Sequence, residues 1–304
     1  MKYINLFSKE YKKVLSFDGG GVRAIMGIYF LKRLEHETSK SVFDSFDLFI
    51  GTSAGATNAL MLGIHGSVIN DIEKFWTKEN LEIIMNQSLI DKTSILQTRP
   101  KYKSDGKKEI LSKFFGEKKI GQALKPVIVT AYDLEKRSPV LISSYKDQEV
   151  SVVDAANASS AAPIYFPTAD MDDGRWLIDG GIAANNPSLL GYVEAKKLFG
   201  TDRIKVLGIG AGLNKRKIDG KRSRSWGALG WLRHDILGIM LESSLQNEIL
   251  KDLIGENYLR VNSAIRKVNR RMDDISDQNL TRIKDLADEW WETFGKKAIN
   301  FINS

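Results

Sequence analysis

The chain has 304 residues, of which 42% are hydrophobic and 27% charged, enough apolar material for one large globular domain. It contains no cysteine, which excludes disulfides, thiolate metal ligands and cysteine nucleophiles. The formal net charge of +7 is a diffuse excess that assigns no partner by itself.

The opening MKYINLFSKEYKK breaks its apolar run with charges and leads straight into a strand, so no secretory leader is expected. Lys13–Phe17 (KVLSF) reads as a short buried strand, and the glycine loop DGGGVR follows it. From Arg23 to Glu37, Ile25, Ile28, Tyr29, Leu31 and Leu34 recur at helical spacing. Asp47–Ile50 predicts a second strand, with the next helix beginning at Ser53. Between Leu48 and Asn70 there is no Asp, Glu, Lys or Arg, a length that would suit a membrane span. Its glycines and the polar Thr52, Ser53, Thr57, Asn58 and His65 favour a buried strand-turn-helix instead, since such groups are costly in lipid.

Residues 66–125 are helical, polar and weakly patterned, and read as an insertion or lid over a site. Val127–Tyr132 and Val140–Ser143 are β-branched runs separated by the polar DLEKRSP, which predicts a hairpin. Arg203–Ile209 is a further buried strand. The basic run LNKRKIDGKRSRSWG, residues 213–227, contains Trp226 and is soon followed by Trp231. It suits an anionic membrane surface, with nucleic acid or a plain solvated loop as competing readings. Residues 213–304 are mostly helical apart from a strand at Asn257–Val261. Neither a repeat nor a Pro/Gly/Ser-rich linker divides the chain, so 1–304 reads as a single domain. The alternation of strands and helices predicts an α/β layered fold with a mainly parallel sheet.

Chemistry concentrates at a few places. FIGTSAGATNA presents G-x-S-x-G around Ser53 between a strand and a small-residue helix, the context in which a serine nucleophile is exposed on a tight turn. A serine that merely caps a helix is the competing reading. In DGGGVRA, Gly19, Gly21 and Ala24 fit a G-x-G-x-x-A dinucleotide fingerprint. That fingerprint expects an acidic residue at the end of the next strand, where this chain has Gly51-Thr52-Ser53. The alternative is an oxyanion hole, with backbone N–H groups of Gly19, Gly20 and Gly21 facing a charged oxygen. Arg23 is then a candidate contact for a phosphate.

A serine nucleophile needs a base, and the chain has three histidines. His36 lies at the end of the first helix and His234 inside a later one. His65 sits at the far end of the helix that starts at Ser53, more than about ten ångströms away at helical rise. RWLIDGGIAANNP offers Asp179 instead, after a short apolar strand and before two glycines. Burial would raise its carboxylate from ~3.9 and make it a usable base. An ordinary Asp-Gly turn competes with that reading.

Four ordered pieces resemble the patatin-like phospholipase family: DGGGVR at Asp18–Arg23, GTSAGA at Gly51–Ala56, SSAAPIYFP at Ser159–Pro167 and DGGIAANNP at Asp179–Pro187. The similarity continues through YLRVN (Tyr258–Asn262) and RMDDIS (Arg271–Ser276). The resemblance implies a three-layer α/β/α sandwich and a Ser-Asp dyad, Ser53 as nucleophile and Asp179 as base, with Gly19–Gly21 as oxyanion hole. It implies hydrolysis of acyl esters in glycerophospholipids through an acyl-enzyme, with neither metal nor other cofactor. The chain also looks like bacterial patatin-like effectors of anti-phage signalling, which a cyclic nucleotide activates to degrade the inner membrane. That likeness implies a cyclic nucleotide activator and a cytoplasmic protein, peripheral at the inner face of the membrane, with no nucleic-acid partner. A lipid acyltransferase and a catalytically idle lipid- or nucleotide-binding module are the alternatives.

Overall fold

A computed structural model describes residues 10–66, 68–86, 99–234, 236–241 and 245–304. Its strands are β1 (Lys12–Phe17), β2 (Leu48–Thr52), β3 (Val127–Asp133), β4 (Ser138–Ser143), β5 (Ala169–Asp170), β6 (Trp176–Asp179), β7 (Ile204–Ile209) and β8 (Tyr258–Val261). All belong to one sheet. The run β3-β2-β1-β7-β8 is parallel, while β4, β5 and β6 join by antiparallel pairing.

Parallel strands covered on both faces are expected to be apolar without interruption, and every residue of β2 and β7 is buried. Alternate side chains divide between two cores. Leu15, Phe17, Phe49, Val129, Leu207 and Ile209 meet the helices Ile25–Thr38, Ala54–His65 and Asp277–Asn303. Val14, Leu48, Ile50, Ile128 and Val206 meet Ser188–Phe199 and Leu245–Ile254. Helices on both faces of a mainly parallel sheet make the expected three layers.

Local boundaries differ from expectation where the chain turns. The first helix starts at Ile25, because Gly21–Ala24 form a 3-10 turn. β2 runs on to Thr52, and the following helix begins at Ala54, leaving Ser53 at the corner between them. The 66–125 region holds the helices Ile69–Phe75, Lys78–Ile84 and Ser104–Phe115, while its residues 67 and 87–98 lie outside the described ones. Ile69, Ile72, Phe75, Leu81, Leu111 and Phe115 join the larger core, so the described part of this region packs against the body of the fold. Among the described residues, no helix is long and apolar enough to cross a membrane.

Candidate active site

The pairing of β3 brings two distant turns together. β4 pairs with β3 from Ile128 to Asp133. β2 pairs with Val127–Thr130 of β3, and β6 with Ala131–Asp133. A strand has two edges, and residues bonded to β4 on one must bond β2 or β6 on the other. β2 and β6 therefore share an edge of β3, end to end. Thr52 lies opposite Thr130, and Asp179 lies opposite the next residue, Ala131. Thr52 Oγ1 donates to the Ala184 carbonyl at 2.8 Å, so its 2.8 Å contact with Thr130 Oγ1 is one it accepts. The junction is thus bonded on both sides.

Ser53 sits on this junction with φ 55° and ψ −127°, a conformation a non-glycine residue adopts only at a cost of about 1–3 kcal/mol. Its N–H donates to Ser159 Oγ at 3.0 Å. Gly55 lets the helix start close against the end of β1, since a Cβ there would strike the carbonyls of Phe17 and Asp18. The Ser53 hydroxyl lies beside the Asp179 carboxylate and favours its charged form. Gly181 N–H donates to Asp179 Oδ1 at 2.7 Å, and Asp179 N–H to the Ala161 carbonyl at 3.1 Å. Asp179 is only 6% exposed. Burial pushes its carboxyl up to about 6, although Ser53, Gly181 and the charge of Lys107 pull it down.

The glycine turn after β1 packs against the same junction. Asp18 is buried and pairs through both oxygens with Arg260 of β8. Gly19 N–H donates to the Asn185 carbonyl at 3.0 Å, and Asn185 Nδ2 donates back to the Gly19 carbonyl at 3.2 Å. Gly21 has φ +56°, and a Cβ there would collide with the Met272 carbonyl. Among the described residues, Gly20 and Gly21 N–H have no acceptor, and both glycines line one cavity with Ser53 and Asp179.

Two expectations are corrected by this geometry. Gly19 does not offer its N–H, because Asn185 already accepts it. Arg23 does not reach the cavity: its side chain is 2% exposed, with Nε facing the Gly20 carbonyl at 3.5 Å, so it underpins the turn. Among the described residues, the arginines that do line the cavity are the exposed Arg99, Arg270 and Arg271. Arg271 Nε is held by Asp273 Oδ1 at 3.1 Å, and Asp273 also binds Lys101 and accepts from Tyr102 Oη at 2.8 Å.

The cavity measures about 860 Å³, with walls that include Phe75, Trp76, Leu81, Ile84, Leu111 and Phe166. Among the described residues, no histidine lines it. His36 is exposed beside Glu37, His65 stacks on Phe115, and His234 stacks on Trp226. Among the described residues, no group of three or more His, Asp or Glu side chains could hold a metal ion.

Sequence reasoning missed Lys107. It is 4% exposed in the cavity wall, with Nζ 3.0 Å from the Ser160 carbonyl and 3.3 Å from that of Asn157. A signal was available: Lys107, Ile110, Leu111 and Phe114 fall at i, i+3, i+4 and i+7, which puts the lysine on the apolar stripe of its helix.

A family model described as patatin-like phospholipase matches residues 15–190. Patatin-like protein 1 of Arabidopsis thaliana is 29% identical over 324 residues, covering 90% of this chain and 77% of the relative. A cGAMP-activated phospholipase of Pseudomonas aeruginosa is 29% identical over 260 residues, covering 82% of this chain and 77% of that one. Among solved structures, VipD from Legionella pneumophila matches with a TM-score of 0.52 at 13% identity, over 94% of this chain and 67% of VipD, a likeness of fold.

Proposed function

The chain belongs to the patatin-like phospholipase family of lipid hydrolases, and from that premise we propose that it cleaves acyl esters of membrane glycerophospholipids, with Ser53 as nucleophile and Asp179 as its base. The observation that carries this reading is the end-to-end meeting of β2 and β6, which sets a serine hydroxyl beside a buried carboxylate in an apolar cavity.

Asp179 takes the Ser53 proton as Oγ attacks the acyl carbonyl carbon. The oxyanion that forms is met by the open N–H groups of Gly20 and Gly21, a contact worth most in the transition state. Collapse expels the glycerol oxygen, which leaves with the proton from Asp179, and Ser53 is acylated. Water then attacks the acyl-enzyme and gives its proton to Asp179. The second collapse returns that proton to Ser53 and releases the fatty acid. A carboxyl raised to about 6 suits this duty, being ionised at neutral pH yet more basic than a solvated aspartate.

The apolar walls suit an acyl chain, and Arg99, Arg270 and Arg271 at the opening suit the phosphate of the head group. Exposed Ile164 and Ile182 line the same opening, and together with the basic residues 213–227 they support peripheral contact with an anionic membrane face. A cyclic nucleotide as activator is the regulatory reading that the name of the Pseudomonas aeruginosa relative supports.

The test is release of fatty acid from phosphatidylglycerol vesicles together with labelling by a fluorophosphonate. Ser53→Ala is expected to abolish labelling, and both it and Asp179→Asn to lower turnover by on the order of 10⁴-fold. Undiminished turnover in Asp179→Asn would sink the dyad. Acyl glycerol products in place of free fatty acid would turn the assignment to acyl transfer.

A further inference from the structure

We propose that Lys107 is a positioning residue for both halves of the site, pinning the helix end at 157–161 on which Ser53 and Asp179 rest and holding a positive charge within reach of the carboxylate's field. The inference rests on the Ser53–Asp179 reading above.

Residues 157–161 close the helix Val152–Ser159, whose last carbonyls have no intrahelical donor and carry the negative end of the helix dipole. Lys107 Nζ takes up one of them, at Asn157 (3.3 Å), together with the carbonyl of the C-cap residue Ser160 (3.0 Å). The residues between and beside those two hold the site itself. Ser159 Oγ accepts the Ser53 N–H at 3.0 Å, and the Ala161 carbonyl accepts the Asp179 N–H at 3.1 Å. Within five consecutive residues, Asn157 and Ser160 thus contact the lysine, Ser159 the serine and Ala161 the aspartate. A shift of that segment moves Ser53 and Asp179 together.

Packing alone does not call for a lysine here. The position lies on an apolar stripe against the face of Phe166, whose ring centroid is 4.0 Å from Nζ, and a methionine would fill it without a buried charge. Among the described residues, no carboxylate comes within ion-pair distance of Nζ, so no local salt bridge accounts for the ammonium. The opposite charge that acts on it is Asp179. The other groups facing it are Lys108, a like charge next on the helix that pairs with Asp154 at 3.4 Å, the two carbonyls and the Phe166 ring.

Burial lowers Lys107 to about 7, against the pull of Asp179, while the lysine in turn lowers Asp179. The sign follows from that coupling. Rising pH first ionises Asp179 and then neutralises Lys107, so the acid limb of the rate profile belongs to the carboxyl and the alkaline limb to the lysine. Without the cation, the acid limb moves to higher pH.

The experiment measures kcat and KM across pH 5–10 on a soluble short-chain phosphatidylcholine, for the full chain and for Lys107→Met and Lys107→Arg, with circular dichroism to establish folding. Lys107→Met is expected to lose about 10²-fold in kcat with little change in KM, and to shift the acid limb upward. Lys107→Arg cannot lose its proton; it is expected to recover part of the rate and to carry the alkaline limb to higher pH. A folded Lys107→Met with the wild-type rate and profile overturns the proposal. So does a loss of rate with an unmoved acid limb, which would mark plain packing. If Lys107→Met does not fold, Lys107→Arg decides: an alkaline limb left at its wild-type position overturns it. Ser53→Ala, run in parallel with the fluorophosphonate, separates the premises. Labelling that survives in Ser53→Ala removes the dyad itself, whatever Lys107 does.

Discussion

The turns after β1 and β2 lie side by side at the carboxyl ends of two parallel strands, where α/β sheets bind ligands. Both are glycine-rich and both lead into a helix, yet they are wired in opposite senses. In the first, the flanking groups are tied down: Asp18 to Arg260, Gly19 N–H to Asn185, and Val22 N–H to the Met272 carbonyl at 2.9 Å. The two N–H groups between them stay open. In the second, the Ser53 N–H is itself tied, to Ser159, and the side-chain hydroxyl faces the Asp179 carboxylate. Glycine content does not separate a turn with open donors from one that presents a side-chain hydroxyl. The difference lies in which backbone groups distant residues take up.

The sharpest way to break this contrast is Gly21→Ala. The added Cβ meets the Met272 carbonyl, and the positive φ disfavours any side chain, so the turn must move and its open donors with it. Turnover is expected to fall by on the order of 10³-fold, with KM changed far less, because in the proposed mechanism the donors act on the oxyanion. Steady-state kinetics on the folded variant is the check. A wild-type rate would remove Gly20 and Gly21 from the oxyanion role.

A smaller effect concerns what the second turn costs the fold. The Asp179 carboxyl is held at about 6, above its ordinary value, so the folded chain binds that proton more tightly than the unfolded chain. The resulting stabilisation is complete below about pH 4 and is lost as the pH rises through about 6. At pH 8 the wild type therefore holds a buried charge that Asp179→Asn lacks. Asp179→Asn is expected to be the more stable at pH 8, by up to about 3 kcal/mol, and to lose that advantage by pH 4. Lys107, left without its counter-charge, limits the gain. Urea unfolding at both pH values measures it; an equal gain at both would mean that the carboxylate is not the source.

What could be read from the sequence follows from the range of the interactions involved. The alternation of strands and helices, the β3–β4 hairpin and the corner at Ser53 are local patterns, and each emerged within a residue or two of its observed place. The same holds for the short strand before Asp179. The relation of Asp179 to Ser53 is not local, for it depends on β6 continuing the edge of β3 where β2 stops. Motif order and family likeness pointed to the pair, but spacing did not. Arg23 misled because an arginine after a glycine loop looks the same whether it faces solvent or is enclosed. Gly19 misled because the acceptor of its N–H, Asn185, lies 166 residues away.

The finest test of the contrast is Ser159→Ala, which makes the second turn resemble the first. Removing one buried oxygen frees the Ser53 N–H while leaving the hydroxyl, the carboxylate and the glycine turn in place. A buried donor without an acceptor costs about 1–3 kcal/mol, and here it belongs to a residue already held at a positive φ. Some of that cost is expected to be relieved by rotation of the Ser53 peptide, which swings the hydroxyl away from Asp179. Turnover and fluorophosphonate labelling should then slow together, by about tenfold, with a stability loss of about 1 kcal/mol. Labelling at the wild-type rate would mean that Gly55 and the strand junction alone fix the serine. In that case the tied N–H is incidental, and the two turns differ only in carrying or lacking a hydroxyl.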